Sequence, residues 1–144
     1  MRRFFVLLLL ISAPAAWAGE FRSIGENAAT LYDAPSAKAK KLFVASRLYP
    51  VEIIVQVDQW TKVRDVAGDL MWVEKKFLSE ARTVLVTAAL ADVHQRAEDG
   101  APTVFQARKG VALEIAELGA GPWVKVRHRD GQTGFVRSNQ VWGL

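Results

Sequence analysis

The chain consists of two similar halves. The segment WTKVRDVAGDLMWV, residues 60–73, returns 63 residues later as WVKVRHRDGQTGFV, residues 123–136, without a gap. Upstream the correspondence continues at an offset of 62, with one residue inserted in the loop 119–122. Two copies of about sixty residues each account for most of the 144 residues. Each copy is long enough for a small domain, so the repeat predicts two packed domains rather than a solenoid.

Both halves have the pattern of short β-strands. Residues 51–57 are rich in β-branched side chains, Thr61–Arg64 alternates along the chain, and Gly68 and Gly131 mark hairpin turns. Helical periodicity is weak throughout these halves, although residues 75–81 are compatible with one helical turn. We therefore predict an all-β protein with two tandem small barrels of about five strands each, at residues 20–80 and 82–144.

The first eighteen residues have the layout of a secretory signal peptide. Arg2 and Arg3 precede the apolar run Phe4–Ile11, and Ala16-Trp17-Ala18 matches an A-x-A cleavage signal. Eight apolar residues are too few to span a bilayer as a helix. We expect cleavage after Ala18, which places the protein in the periplasm or outside the cell with no membrane span. An uncleaved N-terminal anchor is the alternative.

Charge and composition exclude several classes of function. Loss of Arg2 and Arg3 lowers the net charge from +4 to +2, and the densest basic cluster, Lys38, Lys40 and Lys41, has the pattern of a solvated loop. A nucleic-acid partner is therefore not expected. The sequence has no cysteine, which excludes disulfides and a thiol nucleophile. An exported protein of this kind depends on core packing alone.

Catalytic motifs are also missing. His94 and His128 are the two histidines, and they lack the spacing of a metal site. A Gly-x-Ser-x-Gly nucleophile motif does not occur. Three carboxylates, Asp58, Asp65 and Asp69, crowd one hairpin, where they suit turn geometry better than glycoside cleavage. We predict a protein that is not an enzyme and uses no cofactor.

The repeated motif resembles the bacterial SH3-like domain, often called SH3b. In the second half it comprises Leu113-Glu114-Ile115, Trp123–Arg127 and Gly134-Phe135-Val136, and the first half carries Val51-Glu52-Ile53 and Trp60–Arg64. The resemblance implies a tandem pair of SH3-like barrels, and such domains mostly bind cell-wall peptides or other proteins. It thus implies an exported binding module of the cell envelope that recognises a cell-wall stem peptide or a segment of a partner protein, and peptidoglycan is a candidate partner. The alternative is a scaffold that docks other envelope proteins and binds no small ligand.

Resemblance to peptide-binding SH3 domains gives candidate site residues. TLYDAPS, residues 30–36, is similar to the first segment of their aromatic groove. At the positions that match the aromatic groove, the first half has the aromatic residues Tyr32, Trp60 and Phe77, whereas the second half has Trp123 alone. The resemblance therefore implies ligand binding by these four aromatic residues. His94, Arg96, Arg137 and Gln140 stand at the other groove positions of the second half.

The alternation of side chains along a strand, which we call strand parity, indicates the face to which each tryptophan points. Side chains alternate between the two faces of a strand, so Trp60 and Trp123 share a face with the neighbouring lysine and arginine, opposite the expected core residues Val63 and Val126. Each tryptophan either lies over the end of the barrel or contacts a ligand, and the sequence leaves both open. Two further expectations concern other aromatics. Trp72 and Phe135 are expected to cap the core, and Trp142 to hold the tail or fill the gap between the halves.

Overall fold

In the part of the chain that the structure describes, the protein forms two seven-stranded antiparallel sheets, one in each half. The computed structural model describes residues 19–119 and 121–144. The predicted signal peptide, residues 1–18, lies outside the described residues. Short strands and two 3₁₀ turns make up the regular structure of the described part, and no helix there is long and apolar enough to cross a membrane.

Domain 1 contains the first seven strands, in the sheet order β3-β2-β6-β5-β4-β1-β7. A 3₁₀ turn at Lys75–Phe77 lies between the last two strands. The strands are β1 (Phe21–Ile24), β2 (Ala28–Tyr32), β3 (Lys41–Ser46), β4 (Pro50–Val57), β5 (Trp60–Arg64), β6 (Leu70–Glu74) and β7 (Leu78–Ser79).

Domain 2 repeats this order as β10-β9-β13-β12-β11-β8-β14. Its 3₁₀ turn is at Ser138–Gln140. The strands are β8 (Thr83–Val86), β9 (Leu90–His94), β10 (Thr103–Arg108), β11 (Ala112–Glu117), β12 (Trp123–Arg127), β13 (Thr133–Arg137) and β14 (Val141–Trp142). The all-β prediction is confirmed, but each sheet has seven strands rather than about five.

One strand in each domain bends and takes part in both sides of the sheet. β4 pairs with β1 along its first half and with β5 along its second half, and the register shifts between Ile53 and Val55. β11 has the equivalent shift between Ile115 and Glu117. Such bulges bend a strand and increase its twist, which lets a short sheet curl around a single core.

The two cores use equivalent residues. Val63 and Val126 are fully buried, as strand parity predicts. Their flanking residues Arg64 and Arg127 are exposed. The buried cores comprise Ile24, Ala29, Leu31, Ala45, Val51, Val63, Met71 and Val73 in domain 1, and Val84, Val86, Ala91, Val93, Ala107, Leu113, Val124, Val126, Val136 and Val141 in domain 2.

Specific contacts join the two domains. The rings of Phe21 and Trp142 meet edge to face, with centroids 5.2 Å apart at 86°. This contact confirms that Trp142 packs in the gap between the halves. The Thr83 hydroxyl donates a hydrogen bond of 2.7 Å to the Leu48 carbonyl oxygen, and the Ser23 hydroxyl donates one of 2.8 Å to the carbonyl oxygen of Ala81. The first bond holds the second domain against the first, and the second bond holds the connecting residue Ala81 against domain 1.

Candidate functional site

The outer surface of β5 and β6 carries the candidate aromatic residues of domain 1. Thr61 and Val63 point inward and are buried, so Trp60 and Lys62 point outward and are half-buried. In the β5–β6 ladder, Trp60 pairs with Glu74 and Lys62 pairs with Trp72. Opposed residues on one face of an antiparallel pair contact each other, so the strand ladder itself assembles this surface.

Tyr32 joins this surface from β2. It pairs with Trp72 in the β2–β6 ladder, and its ring meets Trp60 edge to face at 5.6 Å and 84°. The Lys62 ammonium nitrogen lies 5.9 Å from the centre of the Trp72 ring. We call the group Tyr32, Trp60 and Trp72 the aromatic face of domain 1. All three side chains are half-buried, so each ring remains partly open to solvent.

Phe77 occupies a different place from the other predicted residues. It lies on the 3₁₀ turn after β6 and packs against the buried core of domain 1. Lys76 covers its ring with the ammonium nitrogen 5.1 Å from the centre. The structure thus brings Tyr32 and Trp60 together, while Phe77 supports the domain from the core side.

Trp72 and Phe135 are not core residues, and the prediction that they cap the interior is wrong. Each directly precedes a fully buried valine, Val73 or Val136, and therefore points to the opposite face of its strand. The parity argument that places Trp60 on the outer face applies equally to Trp72. The sequence therefore contained the signal for this third member of the aromatic face.

Domain 2 has the same arrangement with different chemistry. His94 takes the place of Tyr32 and meets Trp123 edge to face at 5.6 Å and 90°. Phe135 takes the place of Trp72, with the Lys125 ammonium nitrogen 5.9 Å from its ring centre. His94 Nδ1 lies 2.9 Å from the Ala101 carbonyl oxygen. Because a carbonyl oxygen only accepts, Nδ1 carries a proton and donates this bond.

The residue that pairs with the tryptophan is an arginine in domain 2 and a glutamate in domain 1, so the charge beside the ring differs between the domains. Arg137 pairs with Trp123 in the ladder and places its guanidinium carbon 4.5 Å from the ring centre. Its Nε donates a hydrogen bond of 3.0 Å to Asp99, and a second nitrogen forms an ion pair with the same carboxylate. The equivalent residue beside Trp60 is Glu74, which pairs with Lys76 at 3.3 Å.

The loop after Tyr32 adds a second carboxylate near the aromatic face. Asp33 directly follows Tyr32, is exposed, and accepts a hydrogen bond of 3.0 Å from the Lys40 amide. In the part of the chain that the structure describes, no group of three or more histidine, aspartate and glutamate side chains is arranged to hold a metal ion. The site offers aromatic and charged recognition groups.

Two bent all-β barrels in tandem, with half-buried aromatic residues on equivalent outer faces, define a pair of SH3-like domains. A family model described as the bacterial SH3 domain matches residues 25–80 and again residues 88–143. The chain belongs to the bacterial SH3 domain family, and the resemblance predicted from its repeat is confirmed.

Solved structures add distant similarities. The chain is similar to NlpC2 from Trichomonas vaginalis (13% identity, TM-score 0.39), covering 87% of this chain and 48% of that one. It is similar to NlpC1 from the same organism (14%, TM-score 0.40; 95% and 50%). An NlpC/P60 family protein from Bacillus cereus gives 16% identity, a TM-score of 0.39, and coverage of 85% and 55%. The chain spans about half the length of these proteins. A comparison with curated proteins gives no match.

Proposed function

We propose that this protein is an exported, non-catalytic binding module of the cell envelope, in which domain 1 recognises an extended peptide that carries a cationic group. The observation that carries this proposal is the difference between the two equivalent tryptophans. Arg137 already covers Trp123, whereas Trp60 faces Glu74 across the ladder. Among the described residues, no lysine or arginine head group lies over the ring of Trp60.

The covered ring in domain 2 shows what domain 1 lacks. A cation over the face of a tryptophan is attracted by the ring quadrupole, and Arg137 supplies that cation to Trp123 from its own chain. A carboxylate beside an open tryptophan ring, as at Glu74 and Trp60, attracts a cation from a ligand instead. The ammonium group of a lysine or of another diamino acid has the required charge and size.

The existing ion pair of Glu74 does not prevent such binding. Its partner Lys76 is 70% exposed, and the two side chains lie two residues apart on the same segment. Because the Lys76 side chain extends into solvent while Glu74 is 27% exposed, the pair is close in kind to surface pairs, which are worth about 0–1 kcal/mol. A ligand ammonium that contacts both the Glu74 carboxylate and the Trp60 ring therefore competes with Lys76 at little cost.

Domain 1 is accordingly the main ligand site, with Tyr32 and Trp60 as contact residues, while Phe77 packs against the core of the same domain. Trp123 is the weaker site because Arg137 and Asp99 are already joined over it. We take the domain bounds as 20–80 and 82–144, since β1 and β8 are parts of the two sheets. A periplasmic or extracellular location rests on the predicted signal peptide and on the export of the family's members.

Two short peptides test the chemistry of the site. Binding of acetyl-Gly-Lys-Gly-amide is measured by calorimetry and compared with the same peptide acetylated on the lysine side chain, which loses the charge but keeps the stem. We expect the charged peptide to bind more tightly and Glu74→Gln to remove the difference. Glu114→Gln, which removes one carboxylate from an ion pair of domain 2, is the control. Equal binding of the two peptides by the unmodified protein contradicts the proposal.

The source of the ligand is tested separately. The protein is mixed with purified peptidoglycan sacculi and, in parallel, with envelope protein extract, and retention is compared between the parent and Trp60→Ala. Retention by sacculi that depends on Trp60 supports a cell-wall stem peptide, and retention by protein extract that depends on Trp60 supports a partner segment. Retention that is independent of Trp60, with no binding of the lysine peptide, supports the scaffold alternative instead.

A further inference from the structure

A second candidate site lies between the two domains, away from the aromatic face. A cleft of about 650 Å³ opens between the β3–β4 region of domain 1 and the turns of domain 2. This volume lies within the range of about 300–1,000 Å³ that is usual for ligand pockets. Residues from both domains line it, among them Phe43, Val44, Leu48, Tyr49, Val111 and Arg129.

The cleft is held in shape by the domain interface. The hydrogen bond of 2.7 Å from the Thr83 hydroxyl to the Leu48 carbonyl oxygen joins the two domains at Leu48, which lines the cleft. The contact between Phe21 and Trp142 joins the domains at a second point. Two separate contacts of this kind oppose both sliding and rotation of one domain against the other, so the cleft exists before any ligand arrives.

The domain 1 wall of the cleft is a free sheet edge. β3 is the terminal strand of its sheet, with β2 as its one neighbour in the described sheet order. Three successive apolar side chains on it are exposed, Leu42 by 45%, Phe43 by 40% and Val44 by 60%. An exposed apolar edge strand is a template for pairing with another strand. In the equivalent strand β10, Val104 and Phe105 are half-buried.

The rim of the cleft is basic. Arg47 and Arg129 line it and are exposed, and neither forms an ion pair within the described residues. Arg127 lies in the adjoining cavity and forms an ion pair with Glu114, with 3.7 Å between the nitrogen and the carboxylate oxygen. Arginine binds carboxylates through two parallel hydrogen bonds. The rim therefore complements an acidic ligand, in contrast to the Glu74 carboxylate that pairs with Trp60 in the strand ladder.

The backbone conformation of Leu48 also supports a functional role for the cleft. Its φ of 73° lies in the left-handed region, where a leucine is strained. The equivalent residue of domain 2 is Gly110, with a φ of 89°, which a glycine adopts freely. Domain 1 thus holds an apolar side chain in the cleft at a turn that glycine would form more easily. Strain of this kind, held by the surrounding structure, is concentrated at functional sites.

We propose that this cleft binds an extended acidic peptide segment with apolar side chains, added as a strand along the free edge of β3. Main-chain hydrogen bonds to β3 hold the segment, as in other cases of strand addition. Alternate apolar side chains of the segment pack on the face of β3 that carries Phe43, next to Leu48. Its carboxylates meet Arg47 and Arg129. The proposal is independent of the aromatic face of domain 1.

The test uses a labelled pentapeptide, acetyl-Val-Glu-Val-Asp-Val-amide, and the complete two-domain chain, with fluorescence anisotropy as the measurement. We expect saturable binding, weakened about tenfold or more by the double substitution Arg47→Glu and Arg129→Glu. Lys38→Glu with Lys40→Glu changes the net charge equally at exposed positions outside the cleft, and we expect it to have little effect. Trp60→Ala is expected to leave this affinity unchanged.

Further variants test the strand and the strained turn. Leu48→Gly is expected to weaken binding while keeping or raising the unfolding temperature, since glycine relieves the strain. A peptide methylated on alternate backbone nitrogens is expected to bind poorly. The proposal is overturned if the glutamine-asparagine version of the peptide binds equally well or if the acidic peptide does not bind. It is also overturned if sedimentation shows that a second copy occupies the edge, in a dimer that Val44→Lys dissociates.

Discussion

The guanidinium carbon of Arg137 lies 4.5 Å from the centre of the Trp123 ring, whereas the equivalent neighbour of Trp60 is Glu74. The two barrels therefore keep the same aromatic geometry and reverse the charge beside it. Duplication of the fold has not produced two identical sites. The open tryptophan with an acidic neighbour is in domain 1, and the tryptophan covered by a cation is in domain 2.

Trp60→Ala is expected to weaken peptide binding about tenfold, because truncated interface aromatics commonly cost 1–2 kcal/mol or more. The domain remains folded, since Trp60 is only half-buried and lies outside the core. Calorimetry with the lysine peptide measures the loss, and circular dichroism checks the fold. Trp123→Ala is the matched control and is expected to matter less. Unfolding by Trp60→Ala, or equal losses in both variants, contradicts the prediction.

Val63→Ala and Val126→Ala are each expected to destabilise the protein by about 2 kcal/mol. Both side chains are fully buried at equivalent positions in the two cores, so truncation leaves a cavity. Urea unfolding measures the change. Val57→Ala is the control, because Val57 is 44% exposed on a strand of the same sheet. A neutral result for either core variant would show that its strand faces the other way.

Gly134→Ala is expected to destabilise domain 2 strongly, because β13 passes close to β9 at this point. A Cβ atom on Gly134 would lie 2.7 Å from the His94 carbonyl oxygen and 2.7 Å from Val93 Cγ1. The strands must separate to accept it, and the contact between His94 and Trp123 is then disturbed. Thermal unfolding measures the effect. Gly100→Ala is the control, since a Cβ there meets nothing within 4 Å, and an equal effect would refute the argument.

The phenol of Tyr49 is expected to lose its proton at a higher pH than an ordinary tyrosine, because its pKa is raised. Burial raises the pKa of its phenol above the ordinary 10.0, and the nearby charge of Asp65 raises it further. Its contribution to stability is fully present below the unfolded pKa of about 10 and is lost as the pH rises through the folded pKa. Ultraviolet absorbance at alkaline pH, in a Tyr32→Phe background, follows the one remaining tyrosine. Asp65→Asn should lower the observed pKa, and no response to it would contradict the second cause.

Export is expected to remove residues 1–18. The basic start, the apolar run and the Ala16-Trp17-Ala18 motif are the sequence grounds for this prediction. N-terminal sequencing of the protein recovered from the envelope fraction should begin at Gly19. Ala18→Leu is expected to block cleavage and retain the longer form, while Ala15→Leu, outside the A-x-A positions, has less effect. Recovery of the unaltered chain with Met1 still present, held at the membrane, would favour the uncleaved anchor.

The sequence by itself determined the repeat, the all-β class and the inward residues of the regular strands. These features are local, because alternation along β5 and β12 separates Val63 and Val126 from their charged neighbours within a few residues. The hairpin glycines Gly68 and Gly131 adopt φ of 89° and 96°, as their turns require. Such local patterns can be interpreted without knowledge of the rest of the chain.

Only the tertiary structure decided what these strands meet. β7 and β14 have two residues each and exist because β1 and β8 lie beside them. The position of Phe77 against the core and the cleft beside Leu48 depend on segments distant in sequence, whereas the cover of Arg137 over Trp123 depends on the register of one hairpin, β12–β13. Residue spacing does not encode the register shifts and domain contacts that bring such segments together, so the cleft and its lining appear only when the two barrels are packed against each other.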